Sequence, residues 1–201
     1  MMSQMRDESF SQHLEKWLKS DRPKTLQGLI DNFAEKSFAI LFLVLMSIPA
    51  LPLPTGGVTH IFEIIAMLLA LELIAGVRQV WLPKNWGRLN LSSRLQNSTL
   101  PFLIKSIRQL EKFTRPRLNV VISNFIVVRL IGLLVFILTF FAFVAPPFSG
   151  LDTLPSLGVV LIALAIILED FLLFVFSLTI GLVGIGLVIA IGKTLISLIA
   201  S

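Results

Sequence analysis

Three observations predict an all-α integral membrane protein built from two sequence-related repeats. Long stretches carry no formal charge, proline–glycine breaks interrupt those stretches at corresponding places, and a strongly basic connector separates the halves. Residues 37–62, 130–151 and 171–192 contain no Asp, Glu, Lys or Arg, and 153–168 form a shorter uncharged run. An apolar helix needs ~20 residues to cross a ~30 Å hydrocarbon core. Hydrocarbon offers nothing to bond a bare backbone, so such runs are expected to be helical or shielded by protein. The alternating polarity of a membrane β-barrel is missing. The chain is 55% hydrophobic and 14% charged, against ~25% charged residues in soluble domains.

The repeat is read from four matches in chain order: Leu14–Trp17 (LEKW) with Leu110–Phe113 (LEKF), Arg22–Lys24 with Arg115–Arg117, Ile30–Phe33 (IDNF) with Ile122–Phe125 (ISNF), and Pro52–Gly56 (PLPTG) with Pro146–Gly150 (PPFSG). Their offsets lie between 92 and 96 residues. Residues 1–201 therefore form a single membrane domain, with repeat 1 at about 10–97 and repeat 2 at about 98–201.

Each half opens with an amphipathic helix. Leu14, Trp17 and Leu18 form the apolar stripe of one, and Ile104, Ile107, Leu110 and Phe113 that of the other. Such a helix suits either the headgroup layer or packing against the bundle from the cytoplasmic side. An Arg-Pro pair follows and disfavours continuation. An apolar helix, a Pro/Gly break and a returning apolar helix come next. Only 12 residues separate Lys36 from Pro49, ~18 Å of helix, so re-entrant or half-depth hairpins are favoured over full ones. One extra C-terminal transmembrane helix, 171–192, carries Gly181, Gly184 and Gly186, small residues that allow close helix approach.

Charge sets the expected topology. Residues 77–117 hold nine of the 17 Lys+Arg and one acid, Glu111. The positive-inside rule makes this a cytoplasmic connector facing anionic headgroups, and nucleic acid is not the expected partner. Both hairpins then enter from the cytoplasm, the repeats run parallel, and the N-terminus is cytoplasmic. No secretory signal pattern stands ahead of Lys36, where six basic and six acidic residues occur. Without cysteine there are no disulfides or thiolate metal sites.

Charges inside apolar segments are expensive and are functional candidates by default: Glu63, Glu72, Arg129, Glu169 and Asp170. His60 and Glu63 share a helix face and suit proton relay or cation binding. Glu72 lies on roughly the opposite side, towards the cytoplasmic end near Arg78. Glu169 and Asp170 are expected to cap the next helix, and Arg129 to pair with an acid across the bundle. Helix N-termini near Gly57 and Thr153 expose unpaired N–H groups to an anionic substrate, with Pro52, Pro54, Thr55, Gly56, Pro146, Pro147, Ser149, Gly150 and Asp152 forming the breaks around them. Interrupted segments in corresponding positions point to a transporter site. Enzyme signatures such as G-x-S-x-G, H-E-x-x-H and a P-loop are absent, so no enzyme and no cofactor is expected, and two separated histidines do not suggest a metal site.

The stretch Pro52–Pro83 (PLPTGG…LLALELIAGVRQVWLP) and the stretch Arg129–Asp170 (RLIGLL…PPFSG…LPSLGVVLIALAIILED) resemble the ExoD-type exopolysaccharide synthesis family of bacterial membrane proteins, over roughly residues 25–195. Glu72, where Gln is expected, and Glu63 depart from that pattern. The resemblance implies a multi-pass protein of the bacterial cytoplasmic (inner) membrane linked to exopolysaccharide synthesis or export. A transporter-like flux protein is the leading expectation. A scaffold or assembly factor of a polysaccharide synthesis complex is the first alternative, and an intramembrane lipid-processing enzyme the second. Membrane lipids, the polysaccharide synthesis machinery and a second copy are the expected partners, with a homodimer contact through Gly181–Gly186.

Overall fold

The computed structural model describes residues 9–33, 36–51, 58–77, 80–81, 83–93, 95–112, 124–146 and 149–199. Among these the chain is all-helical, apart from one antiparallel bridge between Thr25 and Asn90. The helices are α1 (Phe10–Lys19), α2 (Leu26–Asn32), α3 (Ser37–Met46), α4 (Val58–Ala75), α5 (Lys84–Gly87), a π-helical turn Leu95–Thr99 leading into α6 (Leu100–Leu110), α7 (Phe125–Val144), α8 (Thr153–Leu168) and α9 (Phe171–Ile199).

The amphipathic helices α1 and α6 pack on each other. Ser9 starts α1 with a reciprocal capping box to Gln12. Leu14 and Trp17 are buried, as are Leu103, Ile104 and Ile107 on α6, so the apolar stripes face protein rather than lipid headgroups. The two helices run antiparallel: the Ser11 amide and hydroxyl donate to Glu111 at 2.9 and 2.6 Å, while Arg108 donates to Glu15 one turn away. Lys19 and Arg108 hold the Glu15 carboxyl below the usual carboxylate range. Lys24 donates to the Trp17 and Ser20 carbonyls at 2.5 and 2.7 Å and closes the C-terminus of α1. Burial lowers the pKa of that ammonium.

The remaining long helices form a bundle around α3 and α8. Every residue of α3 from Ala39 to Met46 is buried. At ten residues α3 is only ~15 Å long, in keeping with the short first arm expected from sequence. Register follows from close contacts. Phe143 stacks near His60, 5.1 Å between ring centroids, and Gly132 lies against Ala70 and Leu73, so α4 and α7 are antiparallel. Gly158 meets Gly181 and Gly184 meets Pro155, which sets α8 antiparallel to α9, and Gly158 also touches Leu138 of α7. Lys36, at the start of α3, reaches the carbonyl of Ile167 near the end of α8. Each glycine contact depends on the missing side chain: a Cβ on Gly132 would lie 2.8 Å from Leu73 Cβ, and one on Gly158 2.8 Å from the Gly181 Cα.

Gly181 and Gly184 are thus used within the chain, against the expectation that this face meets a second copy. Only Gly186 of the three opens onto free space. The outward faces are apolar: Ile61, Ile64, Leu68 and Leu71 on α4, Ile126, Leu130, Leu133 and Phe140 on α7, and much of α9. Phe125–Val144 and Phe171–Thr194, 20 and 24 residues, are long and apolar enough to cross a membrane.

Candidate functional site

The bundle has two ends of opposite character. At one, α4 stops in a Schellman motif: Gly76 takes φ +86°, its amide bonds the Leu73 carbonyl, and the Val77 amide bonds that of Glu72. Arg129 lies 4.0 Å over the Phe125 ring and donates to the Ala75 carbonyl at 3.4 Å. Arg129 thereby meets a helix C-terminus, and not the acid expected from sequence. A guanidinium favours that position because unpaired carbonyls concentrate negative charge there.

The end of α8 repeats this arrangement. Glu169 adopts φ +55° and its amide bonds Ala165, which also accepts from the Asp170 amide. Lys36 donates to the Ile167 carbonyl at 2.7 Å and to Glu169 at 3.1 Å. Of the two acids expected to cap the next helix, Asp170 does so, accepting from the Leu173 amide at 3.0 Å. Glu169 instead terminates the preceding one, because the chain must turn there and Lys36 supplies its counter-charge. Glu72 also sits at this end, with Oε2 accepting the Trp81 amide at 3.0 Å beside an apolar groove of ≈ 360 Å³ lined by Leu68, Leu71, Trp81, Pro83 and Trp86. Arg78, its expected neighbour, lies outside the described residues.

The other end holds the breaks. Pro52, Pro54, Thr55, Gly56 and Gly57, and Pro147 in the second break, lie outside the described residues. α8 begins at Thr153, as the spacing predicts. Pro146 accepts the Ser149 hydroxyl at 2.6 Å and its amide at 3.2 Å, the Leu151 amide donates to Ser149 Oγ, and Gly150 turns the chain at φ +69°. Ser149 therefore shapes the turn itself. Asp152 occupies the N-cap of α8 without a side-chain capping bond and interacts electrostatically with both His60 and Glu63.

Glu63 is fully buried. Its Oε2 lies 2.9 Å from His60 Nδ1, while its Oε1 has no hydrogen-bond partner. His60 is half-buried, with 31% of its side chain exposed, and so links the buried carboxyl to the surface at the break. An ionised Glu63 requires the imidazole proton on Nδ1. Two buried hydroxyls were overlooked in the sequence reading. Thr139 on α7 and Ser156 on α8 are fully buried and also lack partners. Thr139 is four residues from Phe143, whose ring lies 5.1 Å from that of His60, while Ser156 lies two residues before Gly158, on the side of α8 turned away from Leu138 and Gly181. The overlooked signal is the repeat: Ser156 falls 93 residues after Glu63, and Thr139 falls 92 after Ser47. The His60–Glu63 pair is the part of this end that can exchange a proton with the surface.

Comparison with known proteins covers most of the chain. A profile described as exopolysaccharide synthesis, ExoD, covers residues 10–190. The chain belongs to the ExoD family. An uncharacterised protein of Synechocystis sp. is similar at 27% identity, over 89% of this chain and 86% of its own length. Protein ExoD of Rhizobium meliloti is similar at 29% identity, over 73% of this chain and 61% of its own length. No solved structure matches. Membership links the ExoD-family chain to exopolysaccharide synthesis.

Proposed function

We propose that this ExoD-family protein is a non-enzymatic, transporter-like component of the bacterial cytoplasmic membrane, acting in exopolysaccharide synthesis or export with an ion or substrate site between the two Pro/Gly breaks. The observation that carries this reading is Glu63: a fully buried carboxyl with one oxygen unpartnered, approached from the break by a half-exposed His60. Buried polar groups are almost always satisfied, and an intramembrane acid that is not marks a working site. The apolar outward faces of α4, α7 and α9 support a lipid environment.

The proposed duplication gives this reading its plan. Lys36 on α3 closes the C-terminus of α8, and Arg129 on α7 closes that of α4. Exchanging the halves converts one contact into the other. A pseudo-two-fold axis along the membrane normal has this effect, and it also sets two in-plane helices antiparallel, as α1 and α6 are. In such an arrangement both breaks reach the same side of the membrane, and Glu63 and Ser156 take equivalent places.

The test uses the absence of cysteine. Single variants His60→Cys, Thr139→Cys and Ser156→Cys are exposed to a membrane-impermeant thiol reagent in intact cells. A transport path predicts reaction at all three. Protection at 139 and 156 together with external labelling throughout 145–151 would describe a dry bundle with ordinary turns and would reject the reading.

A further inference from the structure

His60 and Glu63 connect the surface at the break to the interior of the bundle. They stand one turn apart on α4, with His60 Nδ1 2.9 Å from Glu63 Oε2. The carboxyl is fully buried and its Oε1 has no partner. The imidazole is partly exposed, and its ring packs beside that of Phe143 on α7. The hydrogen in the 2.9 Å contact can belong to either atom. A protonated Nδ1 facing a carboxylate, and a carboxylic acid facing a bare Nδ1, need the same heavy-atom positions. With Nδ1 engaged, exchange with water falls to Nε2.

The charged groups around α4 leave this pair to itself. α4 packs against α7 and α3. The titratable residue of α7, Arg129, lies over Phe125 and bonds Ala75 at the opposite end of the bundle. α3 carries none along its length, and Lys36 at its start is bonded to Ile167 and Glu169 at that same opposite end. Glu72, further along α4, holds the Trp81 amide there. At the break, Asp152 of α8 interacts electrostatically with both members of the pair and makes no capping bond of its own. A carboxylate in that place raises the local supply of protons to the ring. A metal ion needs several ligands converging on one point. A proton needs one donor and one acceptor within hydrogen-bond reach, and the pair supplies both. A proton on Oε2 also removes the buried charge and leaves Oε1 a neutral carbonyl oxygen, far less costly to bury than an ionised one.

We propose that the ion taken by this site is a proton, handed from the break side to Glu63 by His60. Nε2 binds one proton from water and the ring becomes an imidazolium. The Nδ1 hydrogen then passes to Glu63 Oε2. The ring is left neutral with its hydrogen on Nε2, and the carboxyl is left as an acid donating to Nδ1. The pair has gained one proton, and the bond between its members has reversed direction. This rests on the transporter reading above and names its ion.

The experiment is nitrogen NMR of the purified full chain in detergent, with isotope-labelled histidine. The chain has 2 histidines, so His13→Gln leaves the ring of His60 alone in the spectrum. Acidification from about pH 9 to about pH 5, a span that brackets the titration of an unperturbed imidazole, should exchange the two ring nitrogens. Nδ1 passes from protonated to bare, and Nε2 from bare to protonated. A fixed ion pair would instead end with both nitrogens protonated beside a carboxylate. Adding Glu63→Gln, which cannot accept the proton, should abolish the exchange and give the doubly protonated ring. If that variant does not fold, the titration of the His13→Gln chain decides. A doubly protonated His60 at the acid end, a tautomer that does not change, or the same exchange in Glu63→Gln would each overturn the proposal. A fixed tautomer with all three cysteines reactive removes this proposal alone. An exchanging tautomer with positions 139 and 156 protected removes the transport reading and leaves a proton-binding pair.

Discussion

The two ends of the bundle treat polarity in opposite ways. Where α4 and α8 terminate, Lys36 and Arg129 cap carbonyls, Asp170 caps α9, and Glu72 holds the Trp81 amide. At the break end, a carboxyl and two hydroxyls are fully buried with oxygens left unbonded. The first end closes helices; the second leaves buried side-chain oxygens unbonded.

The closed end should be the more sensitive to mutation. The largest effect is expected from Gly132→Val, since a Cβ there would lie 2.8 Å from Leu73 Cβ and 3.1 Å from the Ala70 carbonyl. Separating α4 from α7 to make room should cost about 3 kcal/mol, the upper part of the overpacking range. Thermal unfolding in detergent measures it. A variant as stable as the parent would mean that α4 and α7 do not meet at this register.

Next comes a test of the two helix ends against each other. Gly76→Val combines φ +86° with a Cβ 2.6 Å from the Phe125 ring, and should destabilise by about 2 kcal/mol. Glu169→Gly, at the corresponding place of the other half, releases a left-handed non-glycine residue while giving up a partly exposed ion pair. Those contributions oppose each other at about 1 kcal/mol or less, so its stability should stay near the parent's. Equal losses in both variants would break the proposed equivalence of the two ends.

Much of this arrangement was legible in the sequence, because charge depletion, proline and glycine are local signals. They locate α7 and the start of α8, and they mark α3 as a short arm. The pairing of α3 with α8, and of α4 with α7, was not legible, because it depends on which surfaces fit. Glu169 shows the limit plainly: an acid ahead of a helix reads as an N-cap, and only Lys36, 133 residues away, makes it a C-terminal partner. Thr139 and Ser156 looked like ordinary small helical residues, and their burial without partners is a tertiary fact. Most of the first break lies outside the described residues, so the expectation that the two helix starts converge rests on the second break alone.

A smaller effect separates the roles of the two cations. Lys36→Met and Arg129→Met should each destabilise by about 1 kcal/mol, the worth of a charge at a helix C-terminus. For Arg129 the contact with Phe125 adds a cation–π contribution of similar order. The double variant should equal the sum of the singles, since they close different helices. Strong non-additivity in unfolding measurements would mean that the closed end acts as one network.

The smallest effect is the most informative about the break end. Replacing a hydroxyl that bonds its own helix, as in Ser177→Ala, should cost about 1 kcal/mol. Thr139→Val keeps the shape of a side chain whose hydroxyl has no partner, and it should be neutral within about 0.5 kcal/mol or slightly stabilising, because an unsatisfied polar group is exchanged for a methyl. The sign is the point of the comparison. A loss matching that of Ser177→Ala would show that Thr139 is bonded within the fold after all. A neutral result at Thr139 beside a real loss at Ser177 would separate the two kinds of hydroxyl, one bonded within its helix and one not.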